Sequence, residues 1–287
     1  MPDDPITRPT DLSLARYAPG WGHPPGVLER AIREGESQVL KTTTHPDTGA
    51  SYASVFSLRL SMPTGSKRET ARHALVVKLN PLDGPVERFK SLLALSKHHR
   101  QWRGAETLAR HGLAPATPVA LLRGRLRLGA RQTRCEVLLL PEVSGRTLLE
   151  AIASGDADLG TGPDTSLADR LGEDLAKCAR AGVWNRDPKP SNVLVREDGG
   201  LVWLDTVGVG YRRGADHAFV RHAIKMLLVE SRGVGAECPE GFALRALSSA
   251  AGVSADRARA MLGEIRAEAT AHGDATPADD PLRRSAG

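Results

Sequence analysis

The stretch WNRDPKPSNVLV, residues 184–195, places an acid, a lysine and an amide in a short loop that runs directly into an apolar strand. Asn192 follows Asp187 by five residues, and a second acid, Asp205 in LVWLD, follows Asn192 by thirteen. The apolar runs NVLV and LVWL fit two short strands between them. A lone Asp or Asn is usually a turn residue, but the joint spacing of these three favours a functional loop.

Length and composition set the class of protein. The chain has 287 residues with 40% hydrophobic content, which suits one large domain or two small lobes with a real core. Lys plus Arg number 39 against 34 Asp plus Glu, a net charge of +5. This surplus favours anionic partners such as nucleotides, phosphorylated sugars or acidic lipid surfaces, and it is too small to indicate nucleic acid.

The cysteines and the hydropathy pattern indicate a cytoplasmic protein. Cys135, Cys178 and Cys238 lie far apart without the spacing of a zinc site, and we interpret them as buried small hydrophobes in a reducing compartment. No apolar run approaches the ~18 residues that span a bilayer. We therefore expect a cytoplasmic location, including the inner face of the membrane, with at most peripheral, salt-sensitive membrane contact.

The first half of the chain reads as strands with one helix. Residues 1–26 hold six prolines and are expected to form a surface arm. The runs SYASVFSLRL and HALVVKLN predict two strands joined by an exposed loop, and the pattern over 86–110 predicts one helix. LLRGRLRLGARQTRCEVLLL, residues 121–140, predicts a further hairpin.

The second half reads as mostly helical. The segment PEVSG at 141–145 interrupts the strand pattern as a hinge, TLLEAI begins a helix, and a long helix is predicted over 167–180. Residues 215–271 are helical in pattern, with Ser254 as an N-cap.

We therefore predict an α+β fold with a strand-rich N-lobe (27–143), a mostly helical C-lobe (144–271), a mobile tail (272–287) and a ligand site in the cleft between the lobes.

Two sets of side chains have patterns that favour solvated or capping roles over a functional site. The arginines at 123, 125 and 127 alternate along a strand, which is typical of a solvated face more often than of an anion-binding patch. The histidine pairs, His98 with His99 and His217 with His222, have no clustered metal-ligand partners in the sequence, so solvated or capping roles are favoured.

The loop NRDPKPSN resembles the catalytic loop HRDxKPxN of the protein-kinase-like superfamily, in which the same spacing leads to the metal-binding Asp of the DFG motif. VVKLN resembles the lysine-bearing strand of that superfamily, and LLLPEVSG its strand and hinge. HHRQWRGAETLARHGLAPATPVAL resembles the helix and following turn of the bacterial lipopolysaccharide core kinases, which phosphorylate Kdo or heptose. The resemblance spans roughly residues 35–230 and is strong at roughly 178–208.

The resemblance implies an ATP- and Mg²⁺-dependent kinase and assigns roles within the loop. Asn192 and Asp205 would bind Mg²⁺, for which their oxygens are suitable ligands. Asp187 would orient the acceptor hydroxyl, and Lys189 would neutralise charge on the transferred group. Lys78 would bind the α and β phosphates.

The remaining nucleotide contacts follow by position alone. The main chain from Glu142 to Ser144 would meet the adenine. The position that resembles the glutamate partner of the lysine is Gln101, whereas the nearby acid is Glu106. Five residues at ~100° each place them about 140° apart on a helix, and Gln101 lies nearer the apolar stripe, so we predict Gln101 as the partner of Lys78.

Several departures from the family pattern bear on activity. Asn185 replaces the usual His, DFG has become Asp-Thr-Val at 205–207, and no Gly-rich loop appears near 35–60. Nothing resembles an APE motif or a long activation segment, which counts against a protein substrate. The predicted function is phosphoryl transfer to a small-molecule or glycolipid acceptor, with a lipopolysaccharide-core-type sugar preferred. The alternatives are a pseudokinase and an antibiotic or metabolite kinase.

Overall fold

A computed structural model describes residues 8–18, 25–63, 70–155, 167–214 and 216–272 of the chain. The chain divides into two compact units, one formed by Met1–Trp102 with Thr117–Glu142 and the other by Arg103–Ala116 with Val143–Gly287. The first unit is built on a sheet and the second is mostly helical. The predicted α+β class, strand-rich first and helical second, is confirmed.

The first unit contains a six-stranded antiparallel sheet in the order β1-β5-β6-β4-β3-β2. The strands are β1 (Thr10–Tyr17), β2 (Glu36–Thr44), β3 (Ser51–Pro63), β4 (Thr70–Pro81), β5 (Ala120–Leu128) and β6 (Arg131–Pro141). The helices are α1 (Pro25–Glu34), α2 (Gly84–Leu92) and the first part of α3 (Lys97–Arg110). Both hairpins expected from the sequence, β3–β4 and β5–β6, are present.

Strand alternation decides which side chains of β4 meet the core. Val77 and Leu79 are buried in an apolar cluster that also contains Leu28 and Ile32 of α1. Because successive side chains of a strand point to opposite faces, Lys78 points to the other face of the sheet, where Gln101 of α3 contacts it. The sequence thus places one polar side chain of β4 opposite the apolar core.

Three sequence-based expectations about this unit need correction. The single helix predicted over 86–110 is two helices, because Ala94 adopts a positive φ of 55° and Ser96 begins α3. Part of the segment predicted as a surface arm, Thr10–Tyr17, is strand β1 at the edge of the sheet. Arg123 is half-buried rather than solvated, since its guanidinium donates to the carbonyl oxygen of Ser91.

The second unit packs helices around two small antiparallel sheets, one of three strands and one of two. Its helices are the rest of α3, α4 (Leu148–Ala153), α5 (Leu167–Arg180), α6 (Asp216–Gly233), α7 (Glu240–Ala251) and α8 (Ala255–His272). Its strands are β7 (Arg146–Thr147), β8 (Val183–Asn185), β9 (Val193–Val195), β10 (Leu201–Trp203) and β11 (Val209–Tyr211). The strands predicted in NVLV and LVWL are β9 and β10, which pair antiparallel.

Buried side chains and helix caps stabilise this unit. Trp203 of β10 is 2% exposed, and its indole N–H donates to the carboxylate of Asp174 on α5 at 3.2 Å. Thr147 caps α4 in a reciprocal pair with Glu150, and the Ser254 hydroxyl accepts the N–H of Arg257 at the start of α8. All three cysteines are free and buried, as expected. The predicted tail beyond residue 272 and half of the arm, residues 1–7 and 19–24, lie outside the described residues.

Candidate active site

The loop between β8 and β9 begins at a buried amide. Asn185 is 1% exposed, and its Oδ1 accepts the backbone N–H of Asp187 at 3.0 Å. The N–H of Arg186 donates to the carbonyl oxygen of Gly208 at 3.1 Å. Asn185 therefore fixes the backbone just before Asp187.

A histidine on α6 braces the same turn from the other side. Nε2 of His222 lies 3.0 Å from the carbonyl oxygen of Arg186, and its ring stacks on Trp184 with the centroids 5.3 Å apart. The sequence favours a solvated or capping role for His222 and carries no pattern that connects it with the loop. The imidazole of His222 therefore contacts the start of the loop from a second element, α6.

Three predicted site residues meet within the loop. Nδ2 of Asn192 lies 3.1 Å from Oδ2 of Asp187 and 3.1 Å from its carbonyl oxygen. Nζ of Lys189 lies 3.5 Å from the same Oδ2. The Asp187 carboxylate is partly exposed. Its Oδ2 is bound by a neutral donor, Asn192, and by a charged donor, Lys189, so the position of this oxygen is fixed.

The fourth predicted residue of this unit is held at the same end of the β9–β10 hairpin. The N–H of Leu204 donates to the carbonyl oxygen of Asn192 at 2.9 Å, which places Asp205 one residue beyond Asn192's pairing partner. Oδ1 of Asp205 accepts the N–H of Val207 at 3.0 Å. The thirteen-residue spacing in the sequence is therefore closed by a hairpin that gathers Asn192 and Asp205.

A buried glutamate on α6 clamps the loop. Glu230 is 3% exposed, and its carboxylate accepts the Ser191 N–H at 2.9 Å and the Ser191 hydroxyl at 2.6 Å. Burial raises the pKa of Glu230, while the hydrogen bonds from Ser191 and the charge of Lys189 oppose the rise. A carboxylate that is costly to bury thus holds the residue that precedes Asn192. A lone acid within a helical pattern carries no signal for this contact.

The segment after Asp205 is packed tightly against α3. Thr206 is fully buried, and a Cβ placed on Gly104 would collide with the Thr206 carbonyl oxygen. Only glycine permits this approach of the helix backbone. Gly104 therefore helps to fix the position of the residue next to Asp205.

In the first unit, the structure brings Lys78 and Gln101 together. Nζ of Lys78 lies 3.4 Å from Oε1 of Gln101, which is 1% exposed. This is a long hydrogen bond to a neutral acceptor. Gln101 thus occupies the position that the helix register argued from the sequence predicts, and its role toward a nucleotide stays a prediction.

A buried polar cluster lies next to this pair and was not anticipated. Glu136 of β6 is fully buried and accepts hydrogen bonds from the hydroxyls of Ser91 and Ser96, both at 2.6 Å. Nδ1 of His99 lies 3.3 Å from the same carboxylate. Burial alone would raise the pKa of Glu136, but the hydrogen bonds from His99, Ser91 and Ser96 outweigh it and lower the pKa to about 2.

The neighbouring histidine corrects a second expectation. His98 and His99, expected to be solvated or capping, are 2% and 6% exposed. Burial lowers the pKa of His98 to about 3, with the charges of Glu136 raising it and of Lys78 lowering it. His98 is therefore neutral at physiological pH. Ser96, at the start of α3, ties the buried anion to a helix N-terminus, where negative charge is favourable.

The predicted adenine-contacting segment follows β6. The N–H of Glu142 donates to the carbonyl oxygen of Ala74 at 2.8 Å, and the side chains of Glu142 and Ser144 are exposed. The β2–β3 turn is closed by the N–H of His45, which donates to the carbonyl oxygen of Ala50 at 2.9 Å, and by Gly49 at a positive φ of 65°. The assignment of adenine to 142–144 remains a prediction.

The donor set suits a hard metal ion. Asp205 offers a carboxylate, and the amide of Asn192, whose nitrogen donates to Asp187, offers a carbonyl oxygen. Among the described residues no group of three or more His, Cys, Asp or Glu side chains could hold a metal by itself. Mg²⁺ is usually bound by one or two carboxylates and completes its shell with phosphates and water, so two protein oxygens fit it.

The chain is similar to solved protein structures. No family model and no curated protein matches the sequence. The bifunctional kinase-methyltransferase WbdD matches with 14% sequence identity and a TM-score of 0.40, over 82% of this chain and 55% of that chain. The chain thus spans about half the length of WbdD. At this identity and TM-score we infer neither activity nor substrate from the similarity.

A helix that spans a bilayer must be long and apolar. Within the ranges that the structure describes, no helix combines the length and the apolar character of a membrane span.

Proposed function

We propose that the protein is an ATP- and Mg²⁺-dependent phosphotransferase that acts on a hydroxyl group of a small or glycolipid acceptor. The observation that supports it best is the loop at 187–192. Asn192 and Lys189 each lie within 3.5 Å of one carboxylate oxygen of Asp187, and the β9–β10 hairpin places Asp205 at the same end of the hairpin as Asn192. Phosphoryl transfer requires positioning and charge neutralisation more than covalent chemistry, and this arrangement supplies both.

Each residue of the loop has a separate task in the proposed reaction. The acceptor hydroxyl donates to the Asp187 carboxylate, which takes its proton as the new oxygen–phosphorus bond forms. The bond from the γ phosphorus to the bridging oxygen breaks, and ADP leaves. Lys189 neutralises charge on the transferred phosphoryl group. Asn192 and Asp205 would hold Mg²⁺, which would supply positive charge to offset that of the phosphates.

We assign the α and β phosphates to Lys78 of the first unit and the adenine to the backbone at 142–144. Gln101 holds Lys78 through a neutral hydrogen bond of 3.4 Å. A neutral bond orients the ammonium less firmly than an ion pair does, so we expect slow transfer. The acceptor class rests on the sequence resemblance, which favours a lipopolysaccharide-core-type sugar.

A second candidate is a nucleotide-binding module without transfer activity. The neutral partner of Lys78 and the substitution at Asn185 favour it. The contacts of Asp187 with Lys189 and Asn192 disfavour it, because nucleotide binding alone does not require a carboxylate held by two donors.

Two measurements on the purified protein separate these candidates. A thermal-shift titration with ATP is expected to raise the melting temperature only when Mg²⁺ is present, since a ligand of the folded state stabilises it by mass action. Equal shifts with and without Mg²⁺, or none, would contradict the metal-bridged site. Incubation with ATP, Mg²⁺ and a panel of core saccharides, other sugars and aminoglycosides then tests transfer. A Mg²⁺-dependent shift without any phosphorylated product would support the second candidate.

A further inference from the structure

Helix α2 and the turn after it, residues 84–95, expose apolar side chains to solvent. Five of the nine exposed large hydrophobic side chains among the described residues lie in this segment. They are between 46% and 69% exposed and comprise Val86, Phe89, Leu92, Leu93 and Leu95. A concentration of this kind marks an interaction surface, whereas single exposed apolar residues are normal.

The orientation of α2 is the reverse of an ordinary surface helix. Such a helix turns its apolar stripe to the core and its polar face to water. Here Ser91 is the buried residue of α2, and its hydroxyl donates to the buried Glu136 at 2.6 Å. Its carbonyl oxygen accepts from Arg123 at 2.7 Å. Polar contacts therefore attach α2 to the sheet, and the apolar side chains at 86, 89 and 93 share the outward face.

A positively charged recess adjoins this apolar surface. It has a volume of about 190 Å³, and Leu92 and Ser91 of α2 form part of its wall. Four arginines and one acid line it, namely Arg88, Arg123, Arg125, Arg134 and Asp11. The pair between Arg125 and Asp11 is 3.7 Å long and exposed, so it cancels little of the charge. Within the part of the chain that the structure describes, Nε of Arg123 is buried without a hydrogen-bond partner.

We propose that the 84–95 segment docks on an anionic lipid bilayer. The outward side chains of α2 enter the boundary between headgroups and acyl chains, and the arginine recess binds lipid phosphates. Two features support a bilayer as the occupant. The apolar side chains project outward from the helix surface, as in helices that lie in the membrane interface. Arginine side chains flank them and can attract acidic lipids. Guanidinium groups also match phosphate oxygens in geometry.

Membrane docking through the 84–95 segment does not depend on the proposed activity, and it is not driven by net charge alone. The sequence led us to expect weak contact through net charge alone, and it favoured a solvated role for Arg123 and Arg125. The structure places both arginines in a recess beside an apolar surface, so binding requires apolar insertion and phosphate recognition together.

Sedimentation of the full chain with vesicles tests the proposal. We expect binding to phosphatidylcholine vesicles that contain phosphatidylglycerol, and much weaker binding to phosphatidylcholine alone. The double variant Phe89→Ser with Leu92→Ser should weaken binding by about tenfold or more, because each side chain loses its burial in the bilayer. Arg134→Gln should weaken binding to the anionic vesicles by about fivefold. Leu40→Ser serves as the matched control, since Leu40 is 53% exposed on β2 at the opposite edge of the sheet.

Three outcomes would overturn the proposal. One is equal binding to both kinds of vesicle, and another is an equal loss of binding in the Leu40→Ser control. The third is no vesicle binding by the wild-type chain, together with a dimer in size-exclusion chromatography that the Phe89 and Leu92 double variant converts to a monomer. That result would make the surface an interface between copies of the chain. Circular dichroism of each variant shows that the fold is retained, as expected for exposed positions.

Discussion

Glu230 offers the sharpest test of how the loop between β8 and β9 is held. Its carboxylate is the acceptor for two donors of Ser191, the backbone N–H at 2.9 Å and the hydroxyl at 2.6 Å. Glu230→Ala removes both acceptors and leaves the Ser191 N–H without its partner. Glu230→Gln is the matched control. The side-chain carbonyl oxygen of the glutamine can accept the Ser191 N–H, and its NH₂ group can donate to the Ser191 hydroxyl oxygen once that hydroxyl has rotated.

The magnitude follows from these contacts. Hydrogen bonds to a charged group contribute about 1.5–3 kcal/mol each, and removing the buried carboxylate also removes its desolvation cost. We therefore expect Glu230→Ala to lower the free energy of unfolding by roughly 2 kcal/mol and Glu230→Gln to change it by less than about 1 kcal/mol. Displacement of the loop should lower kcat in the alanine variant by about a hundredfold.

The pKa of Glu230 adds a sign that can be checked. Burial raises it above the usual 4.5, so the folded chain binds this proton more readily than the unfolded chain does. The contribution of this pKa difference to the free energy of unfolding is fully present below pH 4.5. It is lost as the pH rises through the raised pKa of Glu230. The Gln variant does not titrate, so its stability relative to wild type should improve as the pH rises through that range.

Urea unfolding followed by tryptophan fluorescence measures the stabilities, and hydrogen exchange of the Ser191 amide reports the loop directly. A free energy of unfolding for Glu230→Ala within about 0.5 kcal/mol of wild type, together with unchanged exchange of that amide, would refute the clamp.

The remaining predictions concern one residue or pair each. Asp187→Ala should abolish transfer but spare ATP binding, which calorimetry and a transfer assay on the same sample check; comparable turnover would remove Asp187 from the mechanism. Gln101→Glu should tighten ATP binding or speed transfer several-fold, because a charged bond to Lys78 is stronger by about 1 kcal/mol, while Glu106→Ala should change little. The reverse pair of results would make Glu106 the partner of the lysine. The free energy of unfolding should fall as the pH falls from 6.5 toward 3, because the unfolded chain protonates His98 and the folded chain does not. His98→Leu should reduce this slope by at most about 1.4 kcal/mol per pH unit, and an unchanged slope in denaturant titrations would contradict the burial argument.

The parts of the fold that the sequence predicts are those with a local pattern. The long helix over 167–180 and the strands in NVLV and LVWL lie where their apolar periodicity places them. The break between α2 and α3 could not be predicted, because no proline or glycine marks it. Ala94 adopts a positive φ of 55° there, and Ser96 begins the next helix through a contact with a distant strand residue, Glu136.

The candidate site divides in the same way. Asp187, Asn192 and Asp205 carry a spacing that the sequence displays, and the structure gathers them. Glu230 and His222 carry none, because their contacts to the loop depend on how α6 packs. The residues that we propose to react are marked by their spacing along the chain, whereas the residues that hold the loop are determined by tertiary structure.

The most direct test of the proposed function is mass spectrometry of the acceptor after incubation with ATP and Mg²⁺. Wild-type protein and Asp187→Asn are compared with each compound of the sugar panel, at concentrations where both proteins bind ATP. The proposed phosphotransferase activity predicts that one compound gains a phosphoryl group with the wild-type chain and not with the Asp187→Asn variant. Equal amounts of phosphorylated product from both proteins, or none from any hydroxyl compound despite Mg²⁺-dependent ATP binding, would contradict it.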